Sequence, residues 1–454
     1  MKKALCLLFV CLSVFSLSAC AGLKQSETSD TSVKTEDNNK KEKLQFSLGS
    51  PLTKEENFTG ENGIVLLKEK YELPQLELHT ADGTLCSLDT EFENSTDKQM
   101  AYACRTFNAE MKSVAEKFDT AAQEQLKTAT EHYNDIAESG RSAWISYSEE
   151  LTIDTPYMTD GFLSVLGNGY SNSGGAHPIT YSRTWNFDLT TGQFLTFDSL
   201  TDDNNPLGSA MDSAITTPIF DEINAKGLEK SYFEDYTSVV EDFSNKASIY
   251  FQENGMAVRF DVDVIAPYAT GPQTFTVSYD KFYYALSEHM QSLIKLSDED
   301  GIVSDYYATQ TLWQWFNMSM PPFDSSAEKV TIEGTERYKV ALGSIKTLSD
   351  LRKLLCSHVS EEIADEWIKT GKFAESDGAL YSSQGERGAD VTVGTMEFSV
   401  KIDGDSGTLT QTVHRWEYDE SKKTFTDTGK TDTYEFPFIL KEGHAVFSAF
   451  PCPL

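Results

Sequence analysis

The chain has 454 residues and a formal net charge of −33, enough length for two or three domains with their own cores. Acidity on that scale, with no clustered Lys/Arg run, excludes nucleic acid as a partner and favours a basic one. Neither a CxxC pair nor histidines at ligand spacing occur in the sequence, so no structural metal and no cofactor is expected.

Residues 1–20 carry Lys2 and Lys3, an apolar run, and then Leu17-Ser18-Ala19-Cys20. This pattern reads as a lipoprotein signal, with Cys20 expected to take diacylglycerol and hold the protein to the outer side of the cell membrane. The run is too short and wrongly flanked for a retained membrane helix. Residues 21–50 are rich in Ser, Thr, Asn, Lys and acidic side chains, and read as a disordered tether. Cys6 and Cys11 leave with the signal. Cys86, Cys104, Cys356 and Cys452 remain in a compartment that permits disulfides, and several pairings are open. Cys86 with Cys104 is preferred, because both lie in one region and close a short loop.

Residues 51–298 read as one α+β domain. A strand pair is expected over 64–78, with Pro74 marking an edge. Apolar residues from Phe107 to Ile136 recur every three or four positions, which predicts a helix stopped by Gly140. Strands follow over 144–153 and 161–170. The clearest alternation in the chain comes next: Ile179, Tyr181, Trp185, Phe187 and Leu189 are separated by polar residues, the pattern of a half-buried antiparallel strand. Gly174, Gly175 and Pro178 form the turn before it, and residues 190–193 the turn after it. A second helix is expected over 207–223 and three strands over 249–279.

The run GGAHP followed by a strand ending FDLTTGQ resembles the extracellular domain shared by RsiV-type lysozyme-binding anti-sigma factors and PdaC-type peptidoglycan deacetylases. A later segment, IYFQENGMAVRFDVDVIAPYATGPQTFTVSY, is similar to the same domain. The resemblance implies an extracytoplasmic domain that meets peptidoglycan or a peptidoglycan-cutting partner. Neither a sigma-binding segment ahead of a membrane helix nor the deacetylase's Asp/His metal set is recognisable here. His177 has no nucleophile elbow or paired acid at useful spacing. Gly174, Gly175, His177 and Pro178 are therefore read as a recognition loop rather than as acid/base machinery.

The polar run 297–301 reads as a boundary, which opens a second α+β domain over 299–454. Its aromatic stretch 306–318 is expected to be a buried helix face. Thr347 with Asp350 forms a capping box for a helix over 348–358, and Ser360 caps a second helix that ends at Gly371. Alternating strands fill the remainder from Val391. The segments TERYKVALGSIKTLSDLRKLL, HVSEEIADEWI and DGALYSSQGERGAD ahead of this meander resemble IseA-type inhibitors of cell-wall DL-endopeptidases. That resemblance implies a non-enzymatic domain blocking the groove of an NlpC/P60-type hydrolase. Gln384, Glu386, Arg387 and Asp390, in a Gly-rich charged loop, are the candidate contacts.

The sequence thus reads as two α+β domains, each with helices on a mainly antiparallel sheet. The expected protein is a lipid-anchored, non-catalytic binder of an NlpC/P60-type hydrolase or lysozyme that restrains cell-wall turnover. A non-inhibitory sensor of peptidoglycan or lysozyme is the alternative.

Overall fold

The computed structural model describes residues 43–154, 156–175, 177–385, 388–420 and 424–454. Cys20, with the signal and most of the tether, lies outside them. The tether ends earlier than residue 50. Leu44 is buried, and Gln45–Leu48 pairs antiparallel with Leu76–His79. The apolar positions 44, 46 and 48 alternate, which is what a short strand needs and a solvated tether lacks.

A seven-stranded sheet organises the first region. Its order is Leu52–Thr59, Val65–Leu73, Tyr147–Ile153, Phe162–Asn172, Ile179–Asp188 and Gln193–Leu195, with Tyr157–Met158 also pairing to Phe162–Asn172. Only Val65–Leu73 and Tyr147–Ile153 run parallel, and the long helix Ser95–Asp135 provides the crossover that a parallel pair requires. Val65–Leu73 is therefore an interior strand. Pro74 ends it rather than marking an edge, because a proline beyond the last ladder bond costs the sheet no donor.

The long helix begins twelve residues before the expected Phe107 start, at the Asn94 cap, whose side chain accepts from the Asp97 N–H. Ala101, Ala103 and Cys104 continue its buried face, and small residues of this kind leave little periodic signal. Asn108 fixes the helix to the sheet by exchanging two hydrogen bonds of 2.8 and 2.9 Å with the Leu76 backbone.

The other face of the large sheet meets a three-stranded sheet, Ser248–Gln252, Gly255–Phe260 and Gln273–Ser278, on which the helix Met211–Lys226 packs in turn. Two side chains link the sheets: Ser164 Oγ accepts from Phe251 N at 2.8 Å, and Asn186 Nδ2 donates to Ile249 O at 2.8 Å. Phe162–Asn172 is thus covered on both faces, which is why its first six residues are buried in succession instead of alternating.

The acidic run 297–301 is a helix start, not a linker. Ser297 accepts from Asp300 N, and Asp298, Glu299 and Asp300 occupy the positive end of the helix Asp298–Asn317. That helix is buried nearly all round. It packs on the strands Val393–Asp403 and His444–Phe447, and also on the turns Tyr279–Lys281 and Tyr283–Ala285 of the first region. The Lys281 ammonium lies over the Tyr307 ring, 4.3 Å from its centroid. The two expected domains therefore share buried contacts, and residues 43–454 form one compact unit.

The second region adds the four-stranded meander Val393–Asp403, Ser406–Asp419, Thr424–Lys441 and His444–Phe447. A second sheet, in the order Val330–Ile332, Thr335–Lys339, Ala379–Ser382 and Phe373–Ser376, was not expected from the sequence. The Thr347/Asp350 capping box and the Ser360 cap are both present. The aromatic stretch is buried, and the fold is α+β throughout.

Candidate functional site

The two sequence signatures of the first region, some ninety residues apart, meet at one end of the large sheet. Gly174 takes a left-handed φ of 76° in the turn joining Phe162–Asn172 to Ile179–Asp188, and its N–H donates to Asn172 Oδ1 at 3.0 Å. Only a glycine holds that conformation without strain. Gly175 is exposed, and Pro178 is half-buried as the chain enters the strand. His177 projects between them. Its ring centroid lies 5.1 Å from that of Tyr268, which sits on the turn Tyr268–Thr270 of the PYATGP loop. Next to this pair Ile179 is 64% exposed, a large apolar side chain left uncovered at the edge.

Also between the large and small sheets lies a cavity of about 240 Å³, lined by Glu150, Tyr170, Tyr181, Arg259, Asp261 and Pro272 among others. Asp261 is committed to structure: it accepts from Ser182 N at 2.8 Å and from Ser182 Oγ at 2.6 Å. Arg259 is not fully used. Its Nε is buried without a hydrogen-bond partner, 3.9 Å from Asp261 Oδ1. Tyr181 lies across the neighbouring strand at Gly169, where a Cβ would come within 2.2 Å of its ring. Burial raises the pKa of the Tyr181 phenol, which therefore stays a neutral donor and acceptor at physiological pH. Tyrosine faces, a guanidinium and carboxylates around a small groove suit recognition of a polar ligand. Among the described residues no carboxylate or hydroxyl is hydrogen-bonded to His177, so the arrangement lacks the base-orienting contact that acid/base catalysis uses.

The loop 384–390 is anchored on both sides. Gly385 is pressed against the end of the aromatic helix, where a Cβ would lie 2.1 Å from the Met318 carbonyl oxygen. Asp390 accepts from Thr392 N at 3.0 Å and Thr392 Oγ1 at 2.7 Å, and pairs with Arg415 Nη1 at 3.1 Å. These bonds hold its carboxyl below the usual aspartate range. Both ends of the loop are thus tied down. Gln384 is exposed, while Glu386 and Arg387 lie outside the described residues.

Cys86 and Cys104 share a core yet remain separate thiols. Cys104 sits on the buried face of the long helix, and burial pushes its pKa up to about 12. The Cys86 thiol is instead directed to the Thr84 carbonyl at 3.9 Å. The expected disulfide is not formed.

Tyr268, Arg259 and Asp261 were not singled out from the sequence, and Tyr181 was read only as a position of the alternating strand. Tyr268 lies within the quoted PYATGP segment, and Arg259 with Asp261 shows the two-residue spacing that puts both on one strand face, so a signal was present for each.

Residues 203–280, which include the small sheet and its helix, match a family described as "Protein of unknown function (DUF3298)". No curated protein matches the chain. Among solved structures, a DUF3298 family member from Bacteroides fragilis NCTC 9343 is similar at 17% identity with a TM-score of 0.37, covering 54% of this chain and 95% of that one. A DUF3298 family protein from Pseudomonas aeruginosa PAO1 is similar at 13% identity with a TM-score of 0.33, covering 55% and 96% respectively.

Proposed function

We propose that this chain is a lipid-anchored, extracytoplasmic, non-catalytic protein that binds and restrains a peptidoglycan hydrolase, with the His177–Tyr268 edge as its recognition face. The observation that carries the reading is the meeting of two distant signature segments at one edge, with His177 and Ile179 exposed and Tyr268 half-buried beside them. Loops fixed by a rigid sheet are where binding residues concentrate. The formal charge of −33 supports a basic partner such as lysozyme, through long-range steering. The resemblance of residues 330–450 to IseA-type inhibitors supports a hydrolase of the NlpC/P60 type. The tyrosine-lined groove of about 240 Å³ favours a second reading, in which the same edge senses a glycan or peptide stem of the wall.

Titration of lysozyme and of an NlpC/P60 endopeptidase onto the full chain tests this assignment. His177→Ala and Tyr268→Ala should each weaken binding by about 1–2 kcal/mol if they are anchors of the interface. His177 is exposed, so His177→Ala should leave the unfolding midpoint where it is, while the half-buried Tyr268 is replaced at a small cost in stability. Undiminished affinity in the double variant would remove this edge from the interface.

A further inference from the structure

Strand register builds the floor of the groove of about 240 Å³ between the two sheets. Glu150, Tyr170 and Thr180 pair in one cross-strand row, and Thr152, Asn168 and Ser182 in the row two residues along, so all six stand on one face of the large sheet. Ser182 bonds to Asp261 of the small sheet, which identifies that face as the one turned to the groove. Arg259 comes from the opposite side. It shares a strand face with Ala257, and Ala257 packs with Tyr250 and Leu166 between the sheets.

Ser182 and Asp261 satisfy each other, whereas the groups around them are open. The Arg259 side chain is 21% exposed: its Nε is enclosed beside Asp261, and Nη1 and Nη2 reach the groove with no hydrogen-bond acceptor among the described residues. Glu150 is half-buried, and no cation or donor of the described residues pairs with its carboxylate. Nor do Arg259 and Glu150 pair with each other. Thr152, Asn168, Tyr170 and Thr180 likewise make no side-chain hydrogen bond among the described residues, and none of their polar atoms is sealed from solvent. A guanidinium and a carboxylate brought to one small groove and left unpaired keep both charges available to a third molecule. A lone anion would meet Glu150 as a like charge, and a lone amine would meet Arg259.

We propose that this groove binds an α-amino acid head group, a carboxylate and an ammonium on one carbon, carried by a free amino acid or by the unblocked end of a peptide's side chain. Arg259 Nη1 and Nη2 donate to the carboxylate, Glu150 accepts from the ammonium, and Asn168 and Tyr170 supply neutral polar contacts. The assignment rests on the second reading above, in which the groove senses a component of the wall, and not on restraint of a hydrolase.

Calorimetric titration of the full chain with D- and L-alanine, γ-glutamylalanine, N-acetylalanine and alanine amide tests the proposal. Saturable binding of at least one of the first three is expected, weakened by salt and about tenfold or more tighter than binding of the last two, each of which lacks one charge. Preference for alanine marks a free amino acid as the source, and preference for γ-glutamylalanine a head group borne on a peptide. Glu150→Gln should weaken the preferred zwitterion about tenfold or more and leave N-acetylalanine no weaker, with an unchanged circular dichroism spectrum and unfolding midpoint. Arg259→Gln should weaken the same zwitterion and leave alanine amide no weaker. No binding of any zwitterion, equal binding of N-acetylalanine or alanine amide, or full affinity in Glu150→Gln overturns it. A wall peptide with every amine acetylated that binds where the zwitterions do not would retain the second reading and discard this ligand.

Discussion

Replacing Tyr306 with alanine is expected to destabilise the folded chain by about 3–5 kcal/mol, the range for deleting a buried aromatic side chain. Tyr306 is fully buried, and the centroids of Tyr307, Phe398, Phe436 and Phe450 lie 5.0–5.5 Å from its own. Its hydroxyl accepts from Gln310 Nε2 at 3.0 Å and Gln411 Nε2 at 2.9 Å. Tyr306→Phe keeps the ring packing but removes an acceptor from both amides, leaving Gln411 Nε2 only the weak Met396 Sδ acceptor at 3.0 Å, so it should cost about 1–3 kcal/mol. The helix bearing Tyr306 also packs on turns of the first region, so the alanine variant should lower the urea midpoint reported from both regions together. A loss below about 1 kcal/mol would mean that the ring cluster is not the core of the second region.

Asp188→Ala should cost about 3 kcal/mol, because one buried carboxylate serves an entire turn. It accepts from Thr190 N and Oγ1, from Thr191 N and Oγ1, and pairs with His289 Nε2 at 2.6 Å. Burial works to raise its pKa, but the bonds from Thr190, Thr191 and His289 more than reverse that and leave it below the ordinary aspartate value. The sign follows from linkage: a depressed folded pKa adds stability above the unfolded value of about 3.9, and that stability is lost as pH falls through the folded value. Urea midpoints measured from pH 7 downward should therefore drop more steeply in the wild type than in Asp188→Asn, which has no proton to gain. Parallel profiles would show that Asp188 is not the group responsible.

The strand Ile179–Asp188 and the two short capped helices were legible because their signals are local: an alternation broken only at Arg183 in the first, a Thr–Asp or Ser cap in the others. The helix Asp298–Asn317 was only half legible. It is buried on all sides, so its apolar residues show no stripe, and its acidic first turn imitates a linker. The small sheet around Thr335–Lys339 is built from strands of three to five residues, too short for any period to register.

The sites divide in the same way. The turn at Gly174 and the PYATGP loop were each visible as segments, whereas their meeting at His177 and Tyr268 depends on how two sheets stack. Glu150 and Arg259 come to one groove from different sheets, a separation at which residue spacing carries no information. Conversely, Asp390 read as a candidate contact in the sequence because nothing local announces Arg415 as its partner.

The most direct test of the proposed function is the rate at which a purified NlpC/P60 endopeptidase, or lysozyme, clears a cell-wall suspension with and without the full chain. The account predicts no clearing by the chain alone. It also predicts a saturable fall in hydrolase rate as the chain is added, relieved in part by His177→Ala with Tyr268→Ala. Unchanged rates for both hydrolases at saturating chain, or clearing by the chain on its own, would contradict it.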